Sequence, residues 1–275
     1  MKKILPLILI AALALTAVTA FATDGSDWDY VQGKGVLVVG MTLFPPMNYY
    51  DTQTGAFVGF DTELAEAVAE KLGIKVEFIE INWDSKEIEL NSRNIDAIWN
   101  GMCITEERSQ NMSMGNPYLK NTQALVIKAD KEQAVLADIK SATVIAEAGS
   151  TGEGKLLGTI PDDETVVVPP ADFFRGVNYV PADSMAKAVL EVKAGTADAA
   201  LVDSVAALGI VTPDSDFSDL VVNLDNNFGD QFYGIAFRKG SDVTEKVNQA
   251  IAELIEDGTF AAIAAKYNLT NAQLD

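Results

Sequence analysis

Histidine is absent and cysteine occurs once, at Cys103. The first absence excludes Ser-His-Asp and Cys-His catalysis, and any metal site built on imidazole. The second excludes an internal disulfide, so oxidation contributes nothing to the fold. Basic residues are few: 20 Lys and Arg stand against 40 Asp and Glu, a formal net charge of −20. Such a surface repels nucleic acid and anionic membrane, so neither is expected as a partner, and the charge reads as solubility outside the cell. Long apolar runs are also missing, except at the start. Met1-Lys2-Lys3 is cationic, and Ile4 to Ala20 is apolar apart from Pro6, Thr16 and Thr19. Val18-Thr19-Ala20 and Ala20-Phe21-Ala22 then offer small-x-small cleavage sites. Residues 1–22 therefore read as a cleaved signal peptide. At about 17 residues the run is at the short limit for a membrane anchor. Losing Lys2 and Lys3 leaves 18 − 40 = −22 on the mature chain. No Cys lies near the cleavage site, so no lipid attachment is expected. A secreted location follows, periplasmic or otherwise extracytoplasmic.

What is present is an alternation of strands and helices. Hydrophobic residues make up 48% of the chain, enough for a real core. Asp24 to Gly35 reads as polar and loose. Val36 to Met41 reads as a buried strand. Two prolines in Phe44-Pro45-Pro46-Met47 end it in a loop. In open α/β sheets ligands bind at that end of the strands. Asp61 to Leu72 has helical spacing of Leu64, Ala65, Val68, Ala69 and Leu72, stopped by Gly73. Lys75 to Ile81 is strand-like, Asp84 to Arg93 helical, and Ile95 to Trp99 another strand. Thr105 caps a helix with acids in its first turn.

A second unit repeats the design. Thr143 to Ala146 is a strand entering Gly149-Ser150-Thr151-Gly152. Asp183 to Ala194 is a helix, and Ala199 to Val202 a strand ending at Asp203. Asn94-Ile-Asp-Ala-Ile-Trp99 and Thr196-Ala-Asp-Ala-Ala-Leu201 correspond, which points to two similarly built lobes. Tyr233 to Phe237 is a late strand. Two closing helices follow, one with Val247, Ala250, Ile251, Leu254 and Ile255 on one face, the other over Phe260 to Tyr267. The alternation predicts mainly parallel sheets covered by helices.

Five segments, in order, resemble solute-binding protein family 3, the polar amino-acid-binding proteins of bacterial ABC importers. They are Gly59-Phe-Asp-Thr-Glu-Leu-Ala-Glu-Ala-Val-Ala-Glu-Lys-Leu72, Gly101-Met-Cys-Ile-Thr-Glu-Glu-Arg108, Gly149-Ser-Thr-Gly152, Ala197-Asp-Ala-Ala-Leu-Val-Asp203 and Tyr233-Gly-Ile-Ala-Phe-Arg-Lys-Gly240. The pattern spans about residues 35 to 270 and is most similar to glutamine- and basic-amino-acid-binding members. The resemblance implies an α/β, two-lobed periplasmic-binding-protein-like fold of type II, with two hinge strands near Leu119 to Gln123 and Asp230 to Phe232. Lobe 1 would take residues 28–120 and 231–275, and lobe 2 residues 121–230.

It also implies a site. Arg108 matches the family's carboxylate-binding Arg, and a planar guanidinium suits both oxygens of a carboxylate. The alternative is a surface Arg at a helix start, where a cation opposes the helix dipole. Ser150 and Thr151 match a second carboxylate contact, or form a plain turn. Asp203 matches the ammonium-binding carboxylate, or caps the next helix. The Gly101 carbonyl is a further ammonium acceptor. Phe44 and Trp83 match the aromatic pair around the ligand, or pack in the core. Three positions depart from the family. Met41 replaces an Asp. Cys103 replaces a Thr hydroxyl, keeping its backbone N–H. Glu147 replaces a Lys that a glutamine-binding relative turns on the ligand side chain.

The expected function is capture of a small amino acid, with a slight tilt toward a polar or basic one, and delivery to a membrane permease. A monomer without cofactor, metal or catalytic residue is expected. The alternative is a secreted dehydratase on the same fold, acting on a cyclohexadienyl amino or keto acid, with Glu147 as general acid.

Overall fold

The computed structural model describes residues 26–159, 173–225 and 228–274. The expected signal peptide lies outside them. Two five-stranded sheets with flanking helices form two lobes. The first sheet has the order Lys75–Glu80, Val36–Met41, Ala97–Ile98, Ala236–Phe237, Ser113–Met114. The second has the order Asn178–Ala182, Thr143–Glu147, Ala199–Asp203, Gln123–Lys128, Leu220–Asn223. Between them Leu119–Asn121 and Gln231–Tyr233 pair antiparallel, with Asn121 opposite Gln231 and Leu119 opposite Tyr233.

Both sheets are mainly parallel, as expected, but neither is purely so. In each, four of the five strands run the same way. Gln123–Lys128 and Ala236–Phe237 run antiparallel to both neighbours. The cause is the hinge. These two strands come almost directly off the crossing pair. They enter their sheets from the end where the other strands finish, so they run the opposite way.

The sequence repeat is real in geometry. Asp96 accepts from Val38 N–H at 2.9 Å, and Asp198 from Thr143 N–H at 2.9 Å. Each Asp thereby ties the start of its sheet's central strand to the neighbouring parallel strand, Val36–Met41 or Thr143–Glu147.

The helices bury the faces their spacing marked. Phe60–Leu72 buries Leu64, Ala65, Val68 and Ala69, and Val243–Glu256 buries Val247, Ala250, Ile251 and Leu254. Met185–Ala194 buries Met185, Ala188, Val189 and Val192. Leu190 and Ile255, one step off these stripes, are 45% and 56% exposed. Among the described residues no helix is long and apolar enough to cross a membrane.

The segment expected to be loose is a helix, Asp27–Lys34. Ser26 and Asp29 form a reciprocal capping box at its start. Tertiary charge holds it in place. The buried Arg238 guanidinium donates to Asp27 at 2.8 Å, to Asp96 at 3.2 Å, and to the Leu90 and Ile95 carbonyls at 3.2 and 2.8 Å. Tyr233 to Phe237 also differs from expectation. It divides at Gly234-Ile235 into a hinge strand and a sheet strand, because the chain changes partner there.

Replacing Arg238 with Ala leaves the Asp96 carboxylate, fully buried, with one fewer cation. Removing one partner of a buried pair costs about 3–5 kcal/mol. Denaturant unfolding of Arg238→Ala should show a loss of that size. A loss under about 1 kcal/mol would mean the guanidinium does not hold the Asp27–Lys34 helix and the Asp96 turn together.

Candidate functional site

The co-directional strands of both sheets point their C-terminal ends into one cleft. A small cavity of about 10 Å³ lies there, lined by Trp83, Asn100, Gly101, Cys103 and Arg108 from one side. From the other side come Glu147, Ser150, Thr151, Met185 and Asp203. Eight of the nine residues singled out in the sequence are therefore together. Phe44 is the exception. It lies one layer behind, buried against Gly101 and edge-on to Tyr233, with ring centroids 6.3 Å apart. A larger groove of about 570 Å³ runs along Pro46, Leu208 and Asn271, but its charged residues, Lys120, Asp230 and Lys266, are all exposed. The small cavity is where buried charges converge.

The first lobe supplies Arg108. Thr105 caps its helix by accepting from Arg108 N–H at 3.2 Å. The guanidinium is 8% exposed, so it is no surface Arg. It donates to the Cys103 carbonyl at 2.8 Å and, across the cleft, to the Gly149 carbonyl at 3.0 Å. Lys86 makes the same crossing: its ammonium donates to the Gly149 carbonyl at 3.0 Å and to Trp83 O at 3.1 Å. Burial, then the Arg108 charge, lowers the Lys86 ammonium to about 8. The Gly101 turn is held by Asp61, which accepts from Gly101 N–H at 2.7 Å, Tyr118 OH at 2.9 Å and Trp99 Nε1 at 3.2 Å. Burial raises that carboxyl to about 7 despite these donors.

The second lobe supplies the carboxylates. Asp203 ends its strand and begins the helix Ser204–Ile210, yet its side chain makes no capping bond. It turns to the hinge instead, accepting from Tyr233 OH at 2.8 Å and from Gln123 Nε2. Burial raises it to about 6, with the Tyr233 and Gln123 donors pulling the other way. Glu147 accepts from the Thr42 hydroxyl of the first lobe at 3.1 Å. Burial and the Asp203 charge raise it to about 8, against the pull of Thr42, Lys86 and Arg108. Ser150 and Thr151 do start a helix, Thr151–Leu157, and Ser150 caps it by accepting from Glu153 N–H at 3.1 Å.

Cys103 lies in the cavity wall among Gln231, Asn121 and Thr151, with its sulfur 3.3–3.6 Å from their polar atoms. Burial pushes the thiol well above its ordinary range, so it stays protonated and unreactive. Gln231, Asn121 and Gln123 form an amide chain: Gln231 Oε1 accepts from Asn121 at 3.0 Å and Gln123 at 2.9 Å. Sequence reasoning missed these three, together with Lys86 and Thr42. Their signals, polar side chains inside apolar strands and a Lys next to Trp83, acquire meaning only across the cleft.

Gly149 has φ +73°, and a Cβ there would sit 2.9 Å from Asp84 Cα in the other lobe. Gly149→Ala should therefore force the lobes apart, besides the left-handed strain of about 1–2 kcal/mol. Small-angle scattering should give a larger radius of gyration than the parent's. An unchanged radius would mean the contact is not what sets lobe approach. A pH dependence follows as well. Asp61, Asp203 and Glu147 have folded values above their unfolded ones, so the folded state holds the protons more tightly. Their contribution to stability is full below about pH 4 and is lost as pH rises to about 8. The loss of urea-unfolding stability between about pH 5 and pH 8 should shrink in Glu147→Gln. An identical slope in both proteins would contradict the raised Glu147 value.

The chain is similar to known proteins in sequence and in fold. The arginine-binding extracellular protein ArtP of Bacillus subtilis is 29% identical, over 97% of this chain and 98% of that one. The L-cystine-binding protein TcyJ of Escherichia coli K12 is 30% identical, over 94% and 91%. A solved ABC uptake transporter substrate-binding protein of Streptococcus pneumoniae with bound histidine superposes with a TM-score of 0.77 at 29% identity, over 92% of this chain and all of that one. Residues 37–270 match a family described as bacterial extracellular solute-binding proteins, family 3, and the chain belongs to it.

Proposed function

We propose that this chain captures a free amino acid between its lobes and delivers it to the membrane permease of an ABC importer. One observation carries the reading. A buried Arg from one lobe and a buried Asp from the other line the same cavity, and neither has an ion-pair partner within 4.0 Å among the described residues. A cation and an anion held apart in a desolvated cleft are complementary to a zwitterion. The ligand carboxylate takes Arg108, and also the Cys103 N–H and the Ser150-Thr151 turn. The ammonium takes Asp203 and the Gly101 carbonyl. Trp83 covers the ligand, and Phe44 backs Gly101.

Closure then follows from linkage. A cavity of about 10 Å³ holds little more than a water-sized group, so a ligand enters when the lobes part. By bridging Arg108 and Asp203 it stabilises the closed form by its differential affinity for that form. Arg108 exchanges its Gly149 carbonyl for a charged oxygen, which makes a stronger hydrogen bond. We divide the lobes at residues 28–120 with 231–275, and 121–230. The supporting observation is that the two sheets draw their strands from 36–114 with 236–237 and from 123–223. The chain acts as a secreted monomer, freed from its signal peptide, and the permease recognises the closed lobes. It binds its ligand and does not transform it.

The test is calorimetric titration with the twenty amino acids, after unfolding and refolding to remove carried ligand. At least one should bind. Arg108→Ala and Asp203→Ala should each weaken it by about 2–5 kcal/mol. Affinity should also fall as pH drops below about 6, because a protonated Asp203 no longer attracts an ammonium. Binding that ignores both substitutions would move the site elsewhere. Turnover of prephenate or arogenate would replace the receptor reading with the dehydratase one.

A further inference from the structure

The cleft holds four buried ionisable groups, and a zwitterionic head uses two of them. With Arg108 assigned to the carboxylate and Asp203 to the ammonium, Lys86 and Glu147 remain. Lys86 is 6% exposed and Glu147 3% exposed. Among the described residues the Lys86 ammonium hydrogen-bonds only to two neutral carbonyls, Trp83 O and Gly149 O, and lies 5.2 Å from the centroid of the Trp83 ring. Among the described residues the Glu147 carboxyl group hydrogen-bonds only to the Thr42 hydroxyl. That hydroxyl has one proton and a second acceptor, Asn100 Oδ1 at 2.9 Å. Lys86 and Glu147 feel each other's charge, yet no ion pair within 4.0 Å joins them. A buried ammonium and a buried carboxyl group kept apart each retain unmet hydrogen-bonding capacity.

We infer that Lys86 and Glu147 form a second recognition end of the cleft, which selects a ligand side chain offering both an acceptor and a donor with no net charge. The inference rests on the amino-acid reading above and deepens it. An acceptor oxygen on the side chain takes Lys86, and an N–H donor takes Glu147. A guanidinium or ammonium side chain satisfies Glu147 but meets Lys86 and Arg108 as like charges in a low-dielectric site. A carboxylate side chain satisfies Lys86 but meets Glu147 and Asp203. Two sources share the required chemistry. One is a carboxamide or ureido side chain, as in glutamine or citrulline. The other is a second amino-acid head, as in cystine. The position of Lys86 is itself constrained. Its nitrogen would lie 3.1 Å from a Cβ on Gly149, so any side chain at 149 would crowd it.

The experiment is titration of the refolded protein with glutamine, citrulline, cystine, arginine, lysine and glutamate. Glutamine, citrulline or cystine should bind at least tenfold tighter than arginine, lysine and glutamate, and which of the three leads identifies the source. Lys86→Met should lose tenfold or more for that ligand and gain for arginine and lysine, since Glu147 then stands alone. Glu147→Gln should lose for it and gain for glutamate. Lys86→Gln, one atom shorter but keeping an N–H donor without the charge, is the second variant should Lys86→Met fail to fold. A wild-type preference for arginine, lysine or glutamate overturns the inference, as does a ranking unchanged by both Lys86 variants. If binding depends on Arg108 and Asp203 while the ranking ignores Lys86 and Glu147, this inference alone falls. If no amino acid binds, the receptor reading falls with it.

Discussion

The polar groups around Asp203 and Cys103 are held by one pair of strands. Leu119–Asn121 and Gln231–Tyr233 bond to each other and carry the chain between the lobes. They also carry the floor of the site. Tyr233 donates to Asp203, Gln231 accepts from the Cys103 thiol, and Asn121 accepts from Ser204 at 3.2 Å. Gln123, next after the first crossing, reaches Asp203, Thr151 and Gln231 from one nitrogen. A rotation about this hinge therefore cannot leave Asp203 untouched. Under the proposed binding mode, ligand geometry and lobe closure would be one degree of freedom, which is how a small ligand can shift a two-state equilibrium between large bodies. The same strands explain the sheet topology, since strands fed from the hinge must run against the others.

The second constraint is desolvation. Arg108, Lys86, Glu147 and Asp203 are all buried, and burial is the largest influence on each of them. A cleft that neutralised its charges internally would bind a zwitterion weakly, because each group would already be satisfied. Here the cations rest on neutral carbonyls and the carboxylates on hydroxyl and amide donors. These neutral partners reduce the desolvation cost without matching what an opposite charge supplies. The carbonyl of Gly149, shared by two cations, is the clearest instance. It holds the lobes together through Arg108 and Lys86 while leaving both able to exchange it for an anion.

Much of this was legible in the sequence, for a physical reason. The family resemblance marked Arg108 and Asp203, and their places at a capped helix start and a strand terminus are visible in local residue order. Helical stripes were legible too, and the exposed Leu190 and Ile255 show how narrow those stripes are. What escaped was non-local. Lys86 bonds to a carbonyl 63 residues away, and Gln123 to an amide 108 residues away. Neither has a short-range signature. Asp27–Lys34 was read as loose because its composition is polar, yet a capping box and a buried Arg238 hold it as a helix. Strand direction was also out of reach, since alternation of elements does not reveal which strands a hinge feeds. Phe44 shows the opposite limit: its position in the chain was read correctly, but the distance from loop to cavity is set by Gly101, whose missing side chain lets the ring pack behind it.

The absence of histidine acquires meaning in this setting. A protein with no imidazole has no unperturbed side chain that titrates between about pH 5 and pH 8. Here that window is filled by groups moved into it: Asp203 at about 6, Asp61 at about 7, Glu147 and Lys86 at about 8. Three are carboxyls raised by burial, and the fourth is an ammonium lowered by burial. Asp203 and Glu147 line the cavity, Asp61 holds the Gly101 turn beside it, and Lys86 crosses the cleft to Gly149. Among the described residues the groups moved into this window therefore gather at the cleft, and the cause is the same desolvation that makes it receptive to charge. Under the proposed binding mode, a ligand ammonium beside Asp203 would hold that carboxyl below its value of about 6, so binding near that pH would release a proton from it.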